Sequence, residues 1–341
     1  MEVDQRTNYG GPLGEVKLAY STGDTISSVR FCPTNNQLLL ISSWDSTVTL
    51  FDAGTNRVKA TYNHERDPVL DSCFLDRNHS YSGGLDGNIK LYDFYTDIVT
   101  DVGKHDDAVR VTEFSADSNL LLTGSWDKTV KLWDPRSKPC VGYFLQPDKV
   151  FALALIGSGE KFIVGTAGRK VGVWDLRNPN YILQRRESSL KYQTRCIKAF
   201  PNKTGYVISS IEGRVAVEYL DSNPEVQKNK YAFKCHRIKD NGIEKIYPVN
   251  TICFHPKHQT FASGGSDGFI NIWDGYNKKR LSQFHRYPMS ITSANFSHDG
   301  TYLAIACSPI MEEDSAPDKP PNGSIFFRQV SDQDVKPRNP R

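Results

Sequence analysis

The sequence predicts an all-β chain folded as one seven-bladed β-propeller whose ring is closed by an N-terminal strand. Three observations carry that prediction. The first is a short phrase that returns seven times: SSWDSTVTLFD, SGGLDGNIKLYD, TGSWDKTVKLWD, GTAGRKVGVWD, SSIEGRVAVEY, SGGSDGFINIWD and a degraded NGSIFFRQ. Its last positions are Asp52, Asp93, Asp134, Asp175, Tyr219, Asp274 and Gln329, so the steps are 41, 41, 41, 44, 55 and 55 residues. That period, with alternating apolar positions and Gly, Ser or Asp turns, suits a four-stranded blade. The second observation is a strand ahead of the phrase, as in ISSVRFCP, AVRVTEFS and VNTICFHP, each ending in an aromatic and a turn residue. The third concerns closure. The last phrase is the third strand of its blade, and the tail SDQDVKPRNPR is too polar and Pro-rich to supply a fourth, whereas GEVKLAY at 14–20 has strand character. Joining that segment to the last blade removes both exposed edges.

The blades fall at roughly 24–63, 64–104, 105–147, 148–189, 190–238, 246–285 and 286–330, with the closing strand at 14–20 and a flexible tail at 331–341. The acidic, Pro-rich stretch at 307–321 reads as a mobile loop inside the last blade. With 38% hydrophobic and 24% charged residues over 341 positions, the chain can bury a large core. Its longest apolar runs, such as LLLI at 38–41, are strand-sized, and MEVDQRTNYGG is too polar for a secretory signal, so no membrane association is expected. Seven cysteines are scattered without a CxxC pair, which argues for buried thiols and against a metal or other cofactor. A net charge of +3 is too small for bulk attraction to nucleic acid, and none is expected as a direct partner. The free chain is expected to be a monomer.

Function on such a scaffold lies where the repeat departs from itself. Blades four and five lack the turn Asp and read AGRKV and IEGRV, which place Arg169 and Arg214 near loops of the top face. Around blade five gather Arg185, Arg186, Lys191, Arg195 and Lys198 upstream and Lys234, Arg237 and Lys239 downstream. A charge run is commonly a solvated face, but Arg195, Arg214 and Lys234 lie within strands. They suggest an anion pocket for a carboxylate-rich or phosphorylated peptide. Trp44 and Trp126 stand before the turn Asp, where other blades carry Leu85, Ala167, Ile211 and Ser266. An anchor for a bound chain and packing over a neighbouring loop are both open readings. Trp133, Trp174 and Trp273 read as core of the third strands.

The phrase resembles the WD-repeat family over about 27–330. The resemblance implies that the turn Asp bonds a His in the loop leading into the blade, pairing His64 with Asp86 and His105 with Asp127 as scaffold. Strings outside the generic repeat, including SSWDSTV, QRRESSLKYQTRCIKAFPNK, GYVISSIEGRVAVEYLD and YAFKCHRIK, are similar to the mitotic-checkpoint WD-repeat proteins of the budding-uninhibited-by-benzimidazoles group. That resemblance implies a spindle assembly checkpoint adaptor with no catalytic activity. Its top face would hold a short glutamate-rich segment of a checkpoint kinase or pseudokinase. It would bring that segment to phosphorylated Met-Glu-Leu-Thr repeats of the outer-kinetochore scaffold. Arg195 would pair with a glutamate of the segment, with Trp44 and Trp126 as further contacts, and Arg214 and Lys234 would hold the phosphothreonine. An inhibitor assembly of the anaphase-promoting complex is a further implied partner. The implied location is nucleus and cytoplasm, and the kinetochore in mitosis. The extension before Ser27 and the acidic insert depart from the pattern.

Two rival readings share the fold. One is the related nuclear-pore WD-repeat adaptor of messenger-RNA export, from which KYQTRC and SSIEGRVAVEY lead away. The other is a cullin-ligase substrate receptor, suggested by the WDxR boxes at 133–136 and 174–177. An enzyme is disfavoured, since no nucleophile elbow, phosphate-binding glycine loop or metal constellation is present.

Overall fold

The computed structural model describes residues 14–137, 140–157, 159–309 and 322–337. It is a seven-bladed propeller: seven four-stranded antiparallel sheets and one separate two-stranded hairpin. Within each sheet, strands a to d run outward from the axis; blade one uses Ile26–Cys32, Asn35–Ser43, Thr47–Asp52 and Arg57–Asn63. The second strand of a blade is covered on both sides by its neighbours, so it needs an unbroken buried run, as in Gly205–Ser210. The outermost strand faces water and is largely exposed, as in Arg57–Asn63. Antiparallel order puts the b–c turns and the connections from d to the next a on one face, here the top.

Neighbouring blades meet through apolar side chains, and seven buried clusters fill the seven interfaces. The glycine of the repeated phrase is a packing demand. A Cβ on Gly124 would lie 2.6 Å from Val150 of the next blade, and one on Gly264 would lie 2.5 Å from Ile291. Gly83 and Gly165 receive Val109 and Ile197 in the same way, so at these four positions a β-branched side chain of the following strand a fills the glycine's space, and a side chain there would push the blades apart.

Blade seven is built from both ends of the chain. Glu15–Thr22 pairs antiparallel with Gly323–Gln329, matching Glu15 with Arg328 and Thr22 with Gly323. The Glu15 side chain is fully buried, yet its carboxylate accepts hydrogen bonds from Arg328 (3.0 Å) and from the Tyr287 hydroxyl (2.7 Å). The Arg328 guanidinium also lies 3.9 Å from the centre of the Phe284 ring. The charge is therefore neutralised by a partner whose own face is covered.

Two features depart from expectation. The tail read as flexible from 331 is docked at its start: Asp332–Val335 forms one helical turn under a Ser331–Asp334 capping box. Val335 is buried in the cluster between blades six and seven, and Thr260 and Ser282 donate to the carbonyls of Val335 and Asp334. One apolar residue and two hydroxyls suffice to hold a segment whose composition reads as free. The second departure is the hairpin Arg237–Asp240 and Ile243–Ile246 beyond blade five, turned by Asn241 and Gly242 at φ 49° and 82°. Much of the loop expected at 307–321 and the end of the tail lie outside the described residues.

Because removing one partner of a buried pair leaves an uncompensated charge, Glu15→Ala should cost about 3 kcal/mol or more of stability. Urea unfolding checks this, and Glu15→Gln, which keeps an acceptor for Arg328 and Tyr287, should recover part of the loss.

Candidate peptide-binding face

The top-face turns are fixed by buried polar chains. In blade three, His105 donates from Nδ1 to Asp127 (2.8 Å), Thr123 bridges to His105 Nε2 (2.7 Å), and Trp133 donates its indole N–H to Thr123 (2.8 Å). Burial alone would raise the Asp127 carboxyl, but the bonds from His105 and Thr129 outweigh it and hold the group well below the usual range. Blade six repeats the arrangement with Asp267, His236, Ser263 and Trp273, a set that reading the phrases missed. The other expected pair is looser: His64 Nδ1 is 4.0 Å from Asp86, and burial pushes that ring down to about 4, so it is neutral at pH 7.

These turns carry the residues singled out by sequence. Trp44 projects from the b–c turn of blade one with 42% of its surface exposed. Trp126, at the same place in blade three, is half-buried, with the Lys149 ammonium 5.4 Å from its ring centre. Arg195 opens strand a of blade five, Thr194–Ala199, and lines the central channel together with Arg30, Arg110 and Lys198. Arg214 and Lys234 lie further out on the same blade, at the top ends of strands c and d, and face each other directly in the ladder. The cations expected to gather into one anion pocket are therefore divided between the channel mouth and the outer edge. Others are already engaged. Arg186 donates to the carbonyls of Tyr219 and Leu220, and Arg237 clamps Glu212 O and Glu244. Among the described residues, no cluster of His, Cys, Asp and Glu is arranged to hold a metal ion.

The repeats match the family model described as WD domain, G-beta repeat, at residues 16–52, 97–134 and 231–274. Over nearly the whole length the chain is 47% identical to mitotic checkpoint protein BUB3.1 of Arabidopsis thaliana, covering 96% of both chains. It is 43% identical to mitotic checkpoint protein bub3 of Dictyostelium discoideum, over 94% of this chain and 96% of that one. The chain belongs to the Bub3 family of mitotic checkpoint WD-repeat proteins. Protein RAE1 of Arabidopsis thaliana is a weaker match, 37% identical over 97% of this chain and 95% of the relative.

On this Bub3-family propeller, two parts of the top face were not legible in the phrases. Between blades four and five a cavity of about 270 Å3 is lined by Phe151, Arg169, Tyr192 and Thr194, beside the strand that carries Arg195. Inside the channel, Arg30 joins Asp71 and Glu113 (both 2.9 Å), and Lys198 joins Glu113 (2.8 Å), tying four blades. On the opposite face, the arginines of both WDxR boxes are folded onto their own aspartates, Arg136 on Asp134 and Arg177 on Asp175.

Burial would raise the Glu113 carboxyl, but Arg30 and Lys198 overcome it and hold the group at about 2. A carboxylate depressed in the folded state stabilises above its unfolded pKa, and that contribution is lost as pH falls through the folded value. His64, also depressed, loses its contribution between its ordinary 6.5 and about 4. Urea midpoints measured from pH 7 down to pH 2 should therefore fall in two stages. Glu113→Gln should shrink the lower stage, to which Asp127 also contributes, and leave the upper one in place.

Proposed function

We propose that this chain is a non-catalytic spindle assembly checkpoint adaptor that joins two peptides on one propeller. A glutamate-rich segment of a checkpoint kinase or pseudokinase crosses the top face, with Arg195 meeting a glutamate and Trp44 and Trp126 giving apolar contact. A phosphorylated Met-Glu-Leu-Thr repeat of the outer-kinetochore scaffold is held at the rim of blade five by Arg214 and Lys234. The adaptor works at the kinetochore in mitosis, from a nuclear and cytoplasmic pool.

The observation that carries this reading is the register of blade five. Arg214 and Lys234 are directly opposed, so their side chains leave the same face of the sheet. Like charges in that position repel, and an anion between them removes the penalty. Glu212 supplies a partial answer, at 3.6 Å from Arg214, while Lys234 is exposed and has no hydrogen-bond or ion-pair partner among the described residues. A phosphothreonine brings about −1.5 to −2 charges and three acceptor oxygens to such a pair. The channel suits the other peptide: its lining brings Arg195 and Arg110 together with Arg30 and Lys198.

Calorimetry with phosphorylated and unphosphorylated repeat peptides tests the phosphate assignment. Replacing Arg214 and Lys234 together by Ala should cut the preference for the phosphorylated peptide by at least about a hundredfold, at roughly 1.5–3 kcal/mol per charge-assisted bond. An undiminished preference removes both residues from the site. Trp44→Ala should weaken the kinase-derived segment about 30-fold, the value of a 2 kcal/mol anchor, with little change in melting temperature. Equal losses of binding and stability would assign Trp44 to packing.

A further inference from the structure

Blade four has lost the polar chain that blades three and six share, and the loss leaves a cavity on the side of the propeller. Val164 stands where Thr123 and Ser263 receive the indole N–H, Gln146 stands at the place of His105, and Gly168 at that of Asp127. Only the tryptophan remains. Trp174 is 7% exposed and packs edge-on against Phe144 at 5.3 Å, and its Nε1 has no acceptor among the described residues. Two positions earlier, Gly172 replaces the Lys131 of blade three and the Asn271 of blade six. A cavity of about 620 Å3 results, floored by Gly172, Trp174 and Ile182 and walled by Leu145 and Pro147. The point where a Cβ on Gly172 would begin lies 2.8 Å from Trp174 Nε1, so the unpartnered donor faces that space.

The rim is cationic. Glu187 is taken up by Arg169 and by Lys170 at 3.3 Å. Arg185 is directly opposed to Gly172 in the c–d ladder, which aims its side chain over the cavity, and it has no ion-pair partner among the described residues. In blade three, Leu145 of the cavity wall is 67% exposed, and Tyr143, two residues before it on the same strand, is 57% exposed. An apolar floor, an orphaned buried donor and a free guanidinium are what an extended acidic peptide with one large apolar side chain would satisfy together.

We infer that this groove between blades three and four, which opens at the top rim and runs down the outer side of the propeller, is a second peptide-docking site, distinct from the channel mouth and from the blade-five rim. It takes an acidic segment of a partner protein: the apolar side chain fills the space above Gly172, an oxygen of the segment accepts from Trp174 Nε1, and a neighbouring carboxylate bonds Arg185. The full chain carries five tryptophans, so indole labelling with nitrogen-15 gives a compact reporter set. Titration with a capped Asp-Glu-Phe-Glu-Asp peptide should move the Trp174 signal, identified by its disappearance in Trp174→Phe, and leave those of Trp44 and Trp126 in place. Arg185→Glu, a surface change, should weaken binding roughly tenfold or more, and Trp174→Phe, which removes the donor together with part of the ring, about fivefold or more. The same peptide with Gly for Phe should not bind. A Trp174 signal that stays fixed at millimolar peptide, shifts confined to Trp44 and Trp126, or unchanged affinity in Arg185→Glu would each overturn the assignment.

Discussion

A ring of sheets depends on its last joint. Each blade here buries its apolar faces only against its two neighbours, so an open ring would expose two faces and two strand edges at once. The joint is the pairing of Glu15–Thr22 with Gly323–Gln329, anchored by a carboxylate that has left water entirely. A buried ion pair is weak evidence of net stability, because desolvation offsets much of its attraction. Its value here is specificity. In the observed register Glu15 lies opposite Arg328 and reaches Tyr287; slipping the strand by one residue would turn the carboxylate to the other face and leave the half-buried Arg328 without it. The charge selects one closure from several that hydrophobicity alone would permit.

Closure in turn makes the top face a firm platform. Arg30 holds Asp71 and Glu113, and Lys198 holds Glu113, so blades one, two, three and five are tied across the axis. The Asp–His–hydroxyl–Trp chains of blades three and six tie the b–c turns to the strands beneath them. A platform fixed in this way has little conformational freedom left to lose when a flexible peptide settles on it. The asymmetry among blades then acquires meaning. Where the polar chain is complete the repeat serves as frame, and where it is missing, as in blade four, side-chain space is left over.

Much of this was legible in the sequence because the blade is a local object. Forty-one residues contain its strands, its turns and the glycine that receives the next blade, and the phrase ending at Asp52, Asp93 and Asp134 recurs at that spacing. The pairing of His105 with Asp127 was readable through the WD-repeat resemblance, which implied it within one blade's length; the same 22-residue interval joins His64 to Asp86, where the contact is looser. The equivalent pair His236 and Asp267 was hidden because the hairpin after blade five stretches the interval to 31. The hairpin itself had a signal that went unused, Asn241 followed by Gly242, a pair suited to the left-handed turn found there. The channel network could not be read from the phrases. Arg30, Asp71, Glu113 and Lys198 come from four blades and acquire their relation only when the ring is shut. The candidate cations were found as a composition but not as an arrangement, since sequence does not say that Arg195 faces the axis while Arg214 and Lys234 stand at the rim.

The register of the closing strand has a mechanical side. Glu15 pairs with Arg328 and Thr22 with Gly323, so the first and last strands begin and end at the same edge of blade seven, where Gln329 donates to the carbonyl of Gly14. Tension applied between Gly14 and Val330 would load the ladder one bond at a time, as a zipper, and would not shear all its bonds together. The propeller is therefore far weaker to force along that line than to a pull directed through its blades. Cargo hung from the top face would leave the seam unstressed, whereas a load carried through both ends of the chain would open the ring at its closure first.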